Sequence, residues 1–247
     1  MPGERLDGRV VLVTGSGCGL GASLARAAAS RGARVVLNCR NDAARAESLA
    51  AELAREGAGT LVLRADVTDH EQARTLVEAA VRSCGRIDVL FNTVGSFLWK
   101  PVADMDPKEW RATLASNLDS VYNMSRLVLP SMRQNHFGRI VNLGAVGADR
   151  TLAQPEVAAY SAAKAAVIAF SKALALEEAR RGITVNVVSP GVFVDGEAAP
   201  SGARAQRVPV GRSGTHEDIV RAAMFFASPA ADFLTGQVLA VAGGAGL

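Results

Sequence analysis

The sequence predicts an α/β domain: a doubly wound parallel sheet of about seven strands flanked by helices. Two observations carry this reading. Short, β-branched apolar runs alternate with helical patterns along the whole chain. Those runs are apolar throughout, as strands buried on both faces must be. A third observation bounds the architecture. The 247 residues contain no internal repeat, low-complexity segment or linker, so residues 1–247 form a single domain.

The first strand is Arg9-Val10-Val11-Leu12-Val13-Thr14, followed at once by Gly15-Ser16-Gly17-Cys18-Gly19-Leu20-Gly21 and a helical pattern from Leu20 to Arg31. Strand, glycine turn and helix make the context a phosphate site needs. Glycines let the backbone approach the ligand, and the helix start offers unpaired N–H groups and a positive dipole end. The alternation continues with strands at 34–39, 60–65, 87–92, 139–143, 184–189 and 237–241. Helices are expected at 43–56, 69–84, 107–133, 158–181 and up to Ala227, with Pro107 suited to a first helical turn. In such sheets ligands lie beyond the carboxyl ends of the strands. Those ends carry Gly15, Cys39-Arg40, Asp66, Asn92-Thr93, Gly144-Ala145 and Pro190-Gly191.

Composition excludes several classes. A hydrophobic fraction of 49% against 21% charged residues describes a compact chain with little disorder. The formal charge of +3 is spread along helices with Glu or Asp nearby, which argues against nucleic acid. The longest apolar runs read as strand-sized and interrupted, so no membrane span is expected. No apolar core follows Met1-Pro2-Gly3-Glu4-Arg5, so no secretory signal is expected. Cys18, Cys39 and Cys84 are odd in number and widely spaced, which points to a reducing compartment and a cytoplasmic protein. His70, His136 and His216 each lack a second ligand at helical spacing, so no metal site is expected.

Tyr160 and Lys164 are four residues apart in a predicted helix, which puts a phenol and an ammonium on one face, one turn apart. A free tyrosine titrates near ~10, and a neighbouring cation favours the phenolate, so the pair is expected to bring the phenol toward neutral pH.

Taken together, Thr14-Gly15-x-x-x-Gly19-x-Gly21, Asp66-Val67, Asn92-Thr93-Val94-Gly95, Asn117, Tyr160-x-x-x-Lys164, Pro190-Gly191 and Leu234-Thr235-Gly236-Gln237 resemble, in order and spacing, the short-chain dehydrogenase/reductase family. The chain is most similar to its 3-oxoacyl carrier-protein reductase-like branch. The resemblance implies a Rossmann fold, a nicotinamide cofactor and hydride transfer between a carbonyl and an alcohol on a small-molecule substrate. It implies that Tyr160 exchanges the proton, that Lys164 binds the nicotinamide ribose and tunes the phenol, and that Asn117 holds a water. It also implies a cofactor site made by Gly15, Ser16, Gly19, Leu20, Gly21, Arg40, Asn41, Asp66, Val67, Asn92, Gly95, Pro190, Gly191 and Val192. Family members that use NAD usually end the second strand in an acid. Here that position is Cys39, with Arg40 next and Asn38 and Asn41 beside it, so NADP(H) is expected over NAD(H).

The family's usual serine after the fifth strand is here Ala145, and no serine lies between Gly144 and Ala159. Loss of a donor at an oxyanion costs about 2.7 to 4 kcal/mol where nothing replaces it. Three explanations stand: a natural reductase whose substrate is held by Asp149, Thr151 or Gln154; a laboratory substitution; or a cofactor-binding member acting as a binding or regulatory subunit. Val194 to Val210 corresponds to the substrate-covering loop, with Asp195 where a threonine is usual and Arg204 and Arg207 as possible anion contacts. Phe97, Leu98 and Trp99 suit either an apolar and aromatic wall or a contact with a neighbouring subunit. The resemblance further implies a homotetramer.

Overall fold

The computed structural model describes residues 5–151, 154–191 and 208–246. Seven strands, β1 (Val10–Val13), β2 (Arg34–Cys39), β3 (Thr60–Arg64), β4 (Val89–Asn92), β5 (Gly138–Leu143), β6 (Ile183–Pro190) and β7 (Val238–Val241), form one sheet in the order β3-β2-β1-β4-β5-β6-β7. Every neighbouring pair is parallel. The order reverses between β1 and β4, which opens a crevice at their carboxyl ends.

Alternate side chains of each central strand enter opposite cores. Val11, Val13, Val35, Leu37, Val89 and Phe91 pack toward α1 (Gly19–Ser30), α2 (Ala43–Arg55) and, near α1, the last helix α7 (His216–Ala227). Leu12, Val36, Leu90, Ile140 and Val185 pack toward α3 (His70–Cys84), α5 (Ser120–Gln134) and α6 (Ala158–Glu178). Burial on both faces explains why the strand sequences do not alternate.

Two expectations need correction. The helix expected at 107–133 is broken: α4 (Pro107–Leu114) passes into a π-helical segment, Ala115–Asp119, before α5 begins. The break supplies a wider turn, and Asn117 sits in it with no exposed surface. The apolar runs are not all strand-sized either. Ala158–Arg181 is long and apolar enough, by length and composition, to cross a membrane. In the fold, Ala163, Val167, Ile168, Leu174 and Ala175 of this helix are buried. Its apolar content is that of a helix laid along a sheet.

Helix caps divide the helices into two groups, with α1, α5 and α6 lacking a side-chain cap. Side chains of Asp42, Asp69, Asp106 and Thr215 cap α2, α3, α4 and α7. The residue capping α1 is Cys18, whose side chain makes no cap bond, and the first turn of α1 has no acid. Its first N–H groups have no side-chain acceptor among the described residues.

Candidate active site

The glycine turn is held by a residue outside it. Asn38, 1% exposed, accepts from the Gly15 N–H through its side chain at 3.2 Å and from the Ser16 N–H through its backbone at 2.8 Å. Its amide donates in turn to the Ala65 carbonyl at 3.1 Å, tying the turn to β2 and the end of β3. A Cβ on Gly21 would stand 2.5 Å from the Gly15 carbonyl oxygen, so only glycine allows the helix to start this close to the turn. Leu20 is buried beneath it. Thr93, where the family usually has a second asparagine, bonds the turn from the other side: its N–H donates to the Thr14 hydroxyl at 3.0 Å and its hydroxyl to the Thr14 carbonyl.

Cys39 is buried at the end of β2, whereas Arg40 and Asn41 are exposed. Arg40 reaches Asp66 at 3.4 Å. Burial pushes the Asp66 carboxyl up, but bonds from the Thr68 hydroxyl and N–H, with the Arg40 charge, outweigh it and hold the group below its ordinary value. Val67 is buried behind Asp66. Asn92 turns its side chain inward, donating to the Asn142 amide oxygen at 2.8 Å, so only its backbone faces the crevice. Gly191, after Pro190, packs on Ala242 and donates to the Val241 carbonyl at 3.0 Å. Val192 and the residues 194–207 lie outside the described residues, and with them Asp195, Arg204 and Arg207.

Tyr160 and Lys164 stand on the first turns of α6, as their spacing predicts. The Lys164 ammonium is 5.5 Å from the Tyr160 ring centroid and donates to the Leu143 carbonyl at the end of β5, at 2.8 Å. Asn117 donates to the Ser96 and Thr113 carbonyls at 2.8 and 3.0 Å, and its amide oxygen is buried without a partner among the described residues. A Cβ on Gly95 would lie 2.5 Å from that oxygen and 3.6 Å from Lys164 Nζ. Gly95 is therefore the space in which the two meet.

The expected lowering of the tyrosine is corrected by its burial. Burial pushes the Tyr160 phenol up to about 12 and the Lys164 ammonium down to about 8. Removing both groups from water disfavours both charged forms, and this exceeds their attraction.

Beside Tyr160 lies a pocket of about 350 Å³, lined by Phe97, Ala145, Thr151, Gln154 and Val157 among others. Of the three residues expected to replace the serine, Thr151 and Gln154 reach this pocket, while Asp149 is exposed and does not line it. Sequence reasoning missed Asn38 as an anchor, although an asparagine inside the apolar run Arg34 to Cys39 is a signal. It also missed Glu156, which accepts from the Trp99 indole N–H through its carboxylate and from the Lys100 N–H through its carbonyl. No motif marks such a contact.

Residues 15–246 match the family model described as enoyl-(acyl carrier protein) reductase. The chain is 40% identical over 247 residues to the 3-oxoacyl-[acyl-carrier-protein] reductase of Haemophilus influenzae, covering 97% of this chain and 98% of that protein. It is 35% identical to the Escherichia coli protein of the same name, covering 96% and 97%. A gluconate 5-dehydrogenase from Burkholderia cenocepacia, solved with NADP and tartrate, superposes with a TM-score of 0.91 at 37% identity, covering 98% of this chain and 96% of that one. A dehydrogenase/reductase from Sinorhizobium meliloti superposes with a TM-score of 0.91 at 30% identity, covering 99% and 98%. The chain belongs to the short-chain dehydrogenase/reductase family of oxidoreductases.

Proposed function

We propose that the protein is an NADP(H)-dependent reductase that interconverts a carbonyl compound and its alcohol, with Tyr160 as the acid and base. The observation that carries the proposal is the convergence of Tyr160, Lys164 and the unpartnered Asn117 oxygen at the carboxyl end of β5, around Gly95. The cradle suits a dinucleotide: glycine is required at Gly21, and the first turn of α1 is uncapped. When bound, the nicotinamide supplies or accepts the hydride. Tyr160 gives its proton to the carbonyl oxygen in reduction and takes it back in oxidation. Lys164 holds the nicotinamide ribose; near the anionic cofactor it keeps its charge and draws the phenol down. Asn117 holds a water through its free amide oxygen and links Lys164 to solvent.

Gly15, Ser16, Gly19 and Leu20 hold the pyrophosphate, Asp66 and Val67 flank the adenine, and the backbone of Asn92 and Gly95 faces the adenine ribose. Pro190, Gly191 and Val192 adjoin the nicotinamide. Arg40 and Asn41 meet a 2′-phosphate, Arg40 exchanging its exposed contact with Asp66 for the stronger anion. A neighbour solved with NADP supports that choice. Exposed Tyr122 on α5 and Leu176 on α6 suit subunit contacts in a cytoplasmic homotetramer. Light scattering tests the assembly, and a monomer contradicts it.

Ala145 favours a second reading, a family member that binds cofactor without turnover. NADPH oxidation against ketones, β-ketoacyl thioesters, quinones and dihydropterins separates the two, with Ala145→Ser alongside. Turnover of at least one class is expected. Tight NADPH binding with no turnover in either protein supports the second reading.

A further inference from the structure

Among the described residues, the lining of the pocket beside Tyr160 is neutral. None of its twelve described lining residues is Lys, Arg, Asp or Glu, and most are Ala, Val or Phe. Of the charged residues at its border, Lys100 pairs with Glu109 at 2.7 Å, Arg150 donates to the Gly246 carbonyl, Glu156 accepts from Trp99, and Asp149 is exposed. Thr151, Gln154 and the first turn of α6, which has no side-chain cap, can give hydrogen bonds there, and among the described lining residues none gives a counter-charge. A carboxylate entering such a pocket loses its water without gaining a cation from the described lining.

One wall is aromatic, with Phe97 and Tyr160 lining the pocket. The Phe97 ring packs edge-on to the Tyr160 ring with centroids 4.8 Å apart, and Trp99 follows at 5.9 Å from Phe97. Phe97 and Trp99 are nonetheless 57% and 47% exposed, a large apolar surface beside a reacting group. Glu156 latches this wall. It bonds both Trp99 and Lys100 from the opposite loop, and it does so with a left-handed backbone, φ 66°, which a non-glycine residue holds only when its surroundings impose it.

We infer that this pocket takes an uncharged, flat, ring-bearing carbonyl compound packed against Phe97, with Glu156 as the positioning residue that holds the aromatic wall. The inference rests on the proposed carbonyl chemistry for its reacting group, but the pocket's preference for such a ligand can be read by binding alone. Loaded with NADP⁺, the protein cannot reduce a ketone, so affinities for 2-tetralone and for the anion 5-ketogluconate can be compared by calorimetry without turnover. The bicyclic ketone should bind at least about tenfold more tightly. Phe97→Ala should remove that preference and Phe97→Leu should keep part of it. Glu156→Ala should weaken tetralone about threefold, whereas Glu156→Gln, which still accepts from the indole N–H, should not. Equal or tighter binding of 5-ketogluconate, or tetralone binding indifferent to Phe97→Ala, overturns the inference. The same ligands are then assayed with NADPH. Tetralone that binds through Phe97 while no carbonyl compound is turned over defeats the reductase reading and leaves this one standing. Turnover confined to anionic keto acids does the reverse.

Discussion

The two ends of the sheet treat buried polar groups in opposite ways. At the amino end every buried charge is matched. Asp88, without exposed surface, accepts from Arg9 at 3.0 Å, Arg86 at 2.9 Å and the Val10 N–H at 2.8 Å. Glu178, equally buried, takes Arg133 and Arg181, and the Arg133 guanidinium leads in holding its carboxyl below the ordinary range. Arg139, pushed down to about 10 by burial, still finds the carbonyls of Gly138, Gly182, Ser228 and Pro229. At the carboxyl end, Lys164 is buried with one carbonyl partner, and Asn117 and Ser189 each leave a buried oxygen unpartnered among the described residues. Thr184 Oγ1 is the exception at the amino end. Buried polar groups left incomplete at one end are the pattern expected of a ligand site.

The comparison can be broken at either end. The largest effect belongs to the chemistry: Tyr160→Phe removes the proton donor and should lower carbonyl reduction by about 10² to 10⁴, with NADPH affinity changed only slightly. Steady-state rates and a binding titration check it, and retained turnover would remove Tyr160 from its role. Next comes Asp88→Ala, which leaves two arginines facing a buried gap. It should destabilise the fold by about 3 to 5 kcal/mol in denaturant unfolding while the folded fraction keeps its turnover per site.

Lys164→Met should do the opposite. The folded value of about 8 lies below the ordinary 10.5, so between those pH values the unfolded chain holds a proton that the folded one lacks. Stability from this group therefore rises as pH climbs from 8 to 10.5, and below pH 8 the folded protein carries the whole penalty, at most about 3 kcal/mol. The variant should be more stable than wild type at pH 7 without cofactor and should lose that share of the pH slope. A less stable variant at pH 7 would mean that Lys164 is already compensated. The smallest effect is at the rim: Arg40→Ala should cut the preference for NADPH over NADH by about tenfold, and an unchanged ratio of dissociation constants would remove Arg40 from the 2′-phosphate site.

Much of this was legible in the sequence because it depends on spacing. Apolar runs set the sheet, the glycines set the turn, and four residues set Tyr160 over Lys164. What was not legible depends on the third dimension. The π-helical break that turns Asn117 inward leaves no mark in an otherwise helical pattern, and the upward shift of Tyr160 follows from how much water the surrounding elements exclude. The bond from Thr93 to Thr14 joins residues 79 apart, across strands whose adjacency only the folded sheet supplies. The tie from Asn38 to the glycine turn is of the same kind.

The central claim is that the carboxyl end is a cofactor site, incomplete until NADP(H) fills it. Thermal unfolding of the wild-type protein with NADPH, with NADH and with neither tests it directly, because a ligand that binds only the folded state adds about 2.7 kcal/mol at one hundred times its dissociation constant. NADPH should raise the midpoint by several degrees, and more than NADH at the same concentration. No shift with either nucleotide would contradict the account.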